Sequence, residues 1–230
     1  MAKLIAFDTS TERLSIALTD GARVWRHEAA GGAAASQTLL PRIQAMLEEA
    51  GLVLAELDAI AFGQGPGSFT GLRTACAVAQ GLSFGSGVPL LPVPSLLALA
   101  EQAWSLGGGP RIAAALDARM NQIYFACHDL SGDDASPWAS PVMLIDPPEL
   151  AVPDGYRLAG NLLAPGSSCV LPADTDCLPA VPDAAAMLRL APVMLDAGLA
   201  LPPQLAAPLY VRDKVALTSA ERAEAGAGRP

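Results

Sequence analysis

Three strand-like runs follow one another at the start of the chain with no helical period between them, and only then do helix and strand alternate. Residues 3–9 are a continuous apolar run that closes on polar side chains, which reads as a buried strand. Residues 13–19 alternate, with Leu14, Ile16 and Leu18 on one side, and Asp20-Gly21 then signals a hairpin into a third strand over 22–28. Leu39, Ile43, Met46, Leu47 and Ala50 recur at helical spacing, and Gly51 stops that helix. Pro41 fits best in a first turn, so Thr38 (with Ser36 as the alternative) is the expected cap. A strand over 57–62, a helix from Gly71 to about Phe84, a short strand over 89–93 and a helix capped by Ser95 through Trp104 complete the series. Antiparallel strands need only hairpins, so the order reads as three antiparallel strands, helix, strand, helix, strand, helix.

This order is that of the ribonuclease-H-like unit, which actin and sugar kinases carry twice around a nucleotide cleft. After Gly107-Gly108-Gly109-Pro110, a loop signal, residues 112–116 and 123–127 read as the opening hairpin of a second copy, and that copy then degrades into short strands and Pro-rich connections. The expected fold is therefore α/β, actin-like (ASKHA, ribonuclease-H-like), with two lobes at 1–106 and 107–230, the second reduced and ending in a flexible tail from about 217.

Charge supports the division. The 230-residue chain has a formal net charge of -9, and residues 129–196 hold ten Asp or Glu against Arg157 and Arg189 alone, which accounts for -8 of it. Fourteen of the 20 prolines lie from Pro137 onward. A chain this acidic does not grip nucleic acid by itself, because phosphate binding is driven by Lys and Arg. With 52% hydrophobic residues it is too apolar for disorder. Asp8 comes too early for a signal peptide's apolar region, no run of 18 apolar residues marks a membrane span, and Cys76, Cys127, Cys169 and Cys177 form no CxxC. These features lead us to expect a cytoplasmic protein with reduced, structural thiols.

The block from Gly63 to Arg73 (GQGPGSFTGLR) lacks the Lys of a phosphate-binding P-loop, and its glycines miss the dinucleotide spacing at Ser68 and Thr70. What remains is a strand, a sharp turn and a helix whose first amides are open to an anion. The only charge from Gly71 to Phe84 is Arg73, and Thr74, Ala77, Val78 and Gly81 form a small-residue face that lets another helix approach. Gly81-Leu82-Ser83-Phe84-Gly85 matches a hydrolase pattern, but it ends a helix where a nucleophile elbow needs strand, turn, helix. The two histidines, His27 and His128, make no metal motif. Asp8 and Asp117 end the first strand of each half, where an actin-like cleft brings carboxylates toward a nucleotide's metal, although a strand-end Asp also serves as a turn residue.

Four segments together resemble the TsaB family: Ile5-Ala6-Phe7-Asp8-Thr9-Ser10, the block from Gly63 to Arg73, Ala115-Leu116-Asp117-Ala118-Arg119-Met120 with Ile123-Tyr124, and Pro208 to Ala216 (PLYVRDKVA). The resemblance covers the whole chain and is weakest over about 130–205. It implies an accessory, non-catalytic dimerisation subunit of the bacterial tRNA threonylcarbamoyladenosine machinery, pairing with TsaD, joined by the small ATPase TsaE, and forming homodimers when alone. TsaD transfers a threonylcarbamoyl group to the adenosine beside the anticodon of tRNAs that read codons beginning with A. The resemblance further implies a partner interface at Thr38, Pro41, Arg42, Ala45, Arg73, Thr74, Ala77, Val78 and Gly81, and a vestigial nucleotide cleft at Asp8, Thr9, Ser10, Asp117 and Arg119. It implies no metal and no tightly held cofactor, with ATP or ADP bound only weakly or in the assembled complex, and tRNA reached only through that complex. TsaD's first helix carries two histidines four apart; the matching Ser36-Gln37-Thr38-Leu39-Leu40-Pro41 has none.

Three other readings remain open at this level. One is a small-molecule kinase using Asp8 and Asp117 around Mg-ATP, another a glycoprotease-like metallopeptidase, and the third a minor tRNA contact through Arg212, Lys214, Arg222 and Arg229.

Overall fold

The computed structural model describes residues 2–132, 141–172 and 174–212. Its first sheet is built from β1 (Leu4–Asp8), β2 (Arg13–Thr19), β3 (Val24–Ala30), β4 (Ala59–Gly65) and β5 (Leu90–Pro94), in the order β3-β2-β1-β4-β5. The first three are antiparallel neighbours, and β4 and β5 run parallel to β1. Three helices accompany them: α1 (Ala35–Ala50), α2 (Phe69–Ser86) and α3 (Ser95–Ala103).

The period of two sorts side chains by size across this sheet. Ile5, Phe7, Leu14, Ile16, Leu18, Ile60 and Phe62 point to one face, where they meet Leu39, Ile43 and Met46 of α1 and Ala75, Cys76 and Ala79 of α2. Ala6, Ala17, Ala59 and Ala61, with Leu4, line the other face. Each large side chain buried there contributes about 1.5–3 kcal/mol. The alanines leave room for a helix to come close.

That helix is α4 (Ala184–Asp196), from the acidic second half of the chain. Asp183 caps it, its carboxylate accepting from the Ala186 amide at 3.0 Å. In the opposite sense, α3 of the first half turns Leu96, Leu99, Ala100 and Ala103 onto the second sheet. This exchange of terminal helices welds the lobes, and α3 is buried almost all round.

The second sheet comprises β6 (Arg111–Asp117), β7 (Ile123–Asp129), β8 (Met143–Ile145), β9 (Arg157–Gly160) and β10 (Leu178–Pro179). Its order β8-β7-β6-β9-β10, three antiparallel and then two parallel, repeats the first. The actin-like, two-lobed α/β architecture is therefore present, and the last three strands are short. The face away from α3 is covered by Leu150, Tyr156, Cys169 and Leu171 from Pro-rich connections, where the first sheet has α1 and α2. Lys214 and the tail from about 217, with Arg222 and Arg229, lie outside the described residues.

Three local expectations are corrected. Thr38 does not cap α1: the helix starts at Ala35 after a 3-10 turn over Gly32–Ala34, and the Thr38 hydroxyl donates to the Ala34 carbonyl at 3.0 Å. The alanines favour helix strongly enough to carry it back past the cap candidates, and Pro41 sits inside α1, exposed. Helix α2 begins at Phe69, before Gly71, with Ser68 as its cap. Ser95 is the first residue of α3 and gives its hydroxyl to Asp8 instead of capping.

Candidate functional site

The equivalent turns of the two sheets, β1–β2 and β6–β7, face each other across a cavity of about 410 Å³. Among the expected cleft residues, Ser10, Asp117 and Arg119 line it, and Asp8 and Thr9 do not. Asp8 is sealed behind the turn at 1% exposure. Its carboxylate accepts from the Ser10 amide at 2.8 Å, the Ser10 hydroxyl at 2.6 Å and the Ser95 hydroxyl at 3.3 Å. Burial pushes its pKa above the usual carboxylate range, although these hydrogen bonds pull the other way.

Asp117 is equally committed. Its Oδ1 accepts from the Arg119 amide at 2.7 Å and the Ser168 hydroxyl at 2.6 Å, and its Oδ2 from the Ser168 amide at 2.8 Å. Both carboxylates act as acceptors that shape their own turns. The β6–β7 turn needs such support, because Arg119, Met120 and Asn121 are all left-handed, with φ of 62°, 58° and 56°. Across the cavity Arg119 pairs with Glu12 of the first lobe.

The glycines of the 63–73 block are explained by close approach of the chain itself, the Asp8 carboxylate at Gly63 and backbone carbonyls at Gly65, Gly67 and Gly71. A Cβ on Gly71 would lie 1.8 Å from the Thr9 carbonyl oxygen, and one on Gly67 2.4 Å from that of Ser10. The Ser68 amide donates to the Ser10 carbonyl at 2.7 Å, the Thr9 hydroxyl to the Gly71 carbonyl at 2.7 Å, and the Ser68 hydroxyl accepts from the Gly71 amide at 3.4 Å. At the start of α2, expected to be open to an anion, the Ser68 and Gly71 amides are thus met by the chain itself.

Helix α2 turns Arg73, Ala77, Gly81, Phe84 and Gly85 outward. At 100° per residue this stripe runs i, i+4, i+8. Thr74 and Val78, expected on it, lean toward the core and are half-buried, Val78 against the α1–α2 cluster. On α1, Leu40 and Pro41 are exposed, whereas Thr38, Arg42 and Ala45 are half-buried, with Arg42 paired to Glu49 at 2.9 Å. Phe84 is 60% exposed, and Gly81 and Gly85 have open space where a side chain would stand.

Among the described residues, no three His, Cys, Asp or Glu side chains come together as a metal site. None of the four cysteines is in a disulfide; burial, with the Asp117 charge, pushes the Cys169 thiol up to about 11, and burial, with Asp176, does the same for Cys177. Ser83 lies within α2 and gives its hydroxyl to the Val88 carbonyl at 2.5 Å. Sequence reasoning overlooked Ser168 and Asn161, which hold Asp117 from a loop without pattern. It also placed Arg212 in a basic tail, whereas the Arg212 guanidinium donates to the Ala118 carbonyl at 3.0 Å and to Gln122 Oε1 at 2.8 Å.

Comparison with known proteins adds an independent line. A family model described as TsaD, tRNA N6-adenosine threonylcarbamoyltransferase, matches residues 27–140. The tRNA threonylcarbamoyladenosine biosynthesis protein TsaB of Escherichia coli (strain K12) is 33% identical over 227 residues, covering 93% of this chain and 96% of that protein. The protein of the same name from Haemophilus influenzae is 42% identical over 123 residues, 54% of this chain and 52% of its own length. The solved structure of YeaZ from Pseudomonas aeruginosa is 35% identical and superimposes with a TM-score of 0.77, covering 91% of this chain and 100% of that one.

Proposed function

The chain belongs to the family of the tRNA threonylcarbamoyladenosine biosynthesis protein TsaB, and on that premise we propose that it is a non-catalytic pairing subunit in the synthesis of this tRNA modification. Its partner in this reading is TsaD, which carries the transfer of the threonylcarbamoyl group, with TsaE joining the pair. Alone, the chain forms a homodimer through the same surface. The tRNA is held by the assembly, any ATP or ADP binds only weakly or once the assembly has formed, and the setting is the cytoplasm.

One observation carries the reading: the outward stripe of α2, with Ala77, Gly81, Phe84 and Gly85, is uncharged beyond Arg73 and has room for a second helix. A soluble monomer has little reason to keep a large apolar side chain and a small-residue groove in water on one helix. Two further features favour a supporting role over chemistry. The two carboxylates expected at the cleft, Asp8 sealed behind its turn and Asp117 on the cavity wall, are spent on the chain's own hydroxyls and amides. The net charge of -9 leaves the RNA grip to another subunit.

Co-purification with the TsaD of the same organism tests this. The chain is expected to bring TsaD down as a stoichiometric complex, and Gly81→Glu to lose it while keeping the wild-type circular dichroism. A complex that survives Gly81→Glu would place the contact on another face.

A further inference from the structure

Residues 203–212 run along the first lobe and finish on the second. At one end they are tied to α2 and β4: the Gln80 amide donates to the carbonyls of Pro203 and Ala206, each at 3.1 Å, and the Leu209 amide donates to the Gln64 carbonyl at 2.8 Å. The Leu209 carbonyl comes so close to Gly65 that a Cβ there would stand 2.8 Å from it. Tyr210 then packs its ring 5.5 Å from that of Phe69, and its hydroxyl accepts from Arg73 Nε at 3.0 Å. The Arg73 guanidinium lies 3.8 Å from the Phe69 ring centroid and 6.0 Å from that of Tyr210, so the anchor is a cation stacked on Phe69 beside the ring pair.

Two residues later the segment belongs to the other lobe. Val211 packs on the cluster that contains Leu116 and Tyr124. Arg212 caps the β6–β7 turn through the Ala118 carbonyl and Gln122 Oε1. The turn it caps is the one with three successive left-handed residues, a shape that persists only where its surroundings fix it. Leu209, Tyr210, Val211 and Arg212 all line the cavity between the lobes.

We propose that residues 207–212 are a strap that clasps the two lobes across the mouth of this cavity, with Tyr210 as its anchor on the first lobe and Arg212 on the second, so that the closure of the cleft and the shape of the β6–β7 turn are set by the chain's own segment. The strap meets the outward stripe of α2 only at its first residue, Arg73; the pairing surface proposed above centres on Ala77, Gly81, Phe84 and Gly85, farther along the helix.

Amide hydrogen exchange on the full chain tests it, because each end of the strap has a reporter. The Ala118 amide donates to the Gln122 carbonyl and the Gln122 amide to the Arg119 carbonyl in the turn; the Leu209 amide reports the strap, and the Ile60 amide, bonded to the Pro89 carbonyl, reports the first sheet. The Tyr210 hydroxyl is bonded to Arg73 and not to the turn, yet Tyr210→Ala is expected to speed exchange at Ala118 and Gln122 by roughly tenfold or more, with Ile60 unchanged. Arg212→Ala is expected to do the same at Leu209, and Arg212→Lys to fall between. Tyr210→Ala without effect on Ala118 and Gln122 would overturn the strap and leave Arg212 a local prop of its own turn. A uniform rise that includes Ile60 would overturn it equally, as a loss of global stability.

Discussion

Asp8 sits where an actin-like cleft would present a carboxylate to a metal, yet it faces hydroxyls inside the fold. Burial raises its folded pKa above the unfolded value, so the protonated acid is favoured by folding. Its contribution to stability is therefore fullest below about pH 4 and is lost as pH rises through the folded value. Asp8→Asn is expected to gain stability relative to wild type progressively above about pH 4 and to match it well below, in urea melts across pH; a gain that shrinks with pH would contradict this. Asp8→Ala instead strands the Ser10 amide and hydroxyl and costs about 1–3 kcal/mol at neutral pH. The glycines separate in the same way. Gly71→Ala must push against the Thr9 carbonyl and is expected to cost about 2–3 kcal/mol, whereas Gly81→Ala, with open space around it, gains about 0.5–1 kcal/mol in thermal melts.

At the scale of elements, α2 has two sides with different duties. Its inner side, with Leu72, Ala75, Cys76 and Ala79, closes the core, and its outer side is the one proposed to meet a partner. Ala77→Glu is expected to abolish self-association in light scattering while changing unfolding stability by no more than about 0.5 kcal/mol, since Ala77 is exposed. The order of strands and helices was legible because periods of two and 3.6 are written in Leu14, Ile16 and Leu18, or in Leu39, Ile43 and Met46. The start of α1 was not, since Thr38 has the chemistry of a cap and the preceding alanines outweigh it. The outward stripe of α2 was half legible: Ala77 and Gly81 lie on it, while Thr74 and Val78, one residue round the helix, lean inward. Helix α4 shows a different limit. Its pattern of Met187, Leu190, Ala191 and Met194 says that it has a buried side, but nothing local says that the alanine face of the first sheet receives it. The partners of Asp117 and the duty of Arg212 depend on chain segments that meet only after folding.

For the whole molecule, the exchange of α3 and α4 makes the lobes mutually dependent. A fragment of residues 1–106 would lose α4 and leave Leu4, Ala6, Ala17, Ala59 and Ala61 with only Leu97 and Ala98 of α3 to cover them. It is expected to aggregate or unfold without a cooperative transition, and to regain one when residues 183–212 are fused back to it; a cooperative transition in the bare fragment would show that α4 is dispensable. The acidity follows the same division. Ten of the acidic residues lie at 129–196, while the outward stripe of α2 holds one charged residue, Arg73. The face proposed for pairing is thus almost neutral, and the negative charge lies in the half that carries the second sheet.

The central claim is that this chain contributes a surface and no chemistry. A reconstituted tRNA threonylcarbamoylation assay with TsaD, TsaE and the chain addresses it directly. The account predicts that modification depends on the chain, persists in Asp117→Asn, and is lost in the folded Ala77→Glu variant. Modification that survives Ala77→Glu but fails in Asp117→Asn, with both proteins folded and paired with TsaD as wild type, would contradict it and return catalysis to the cleft.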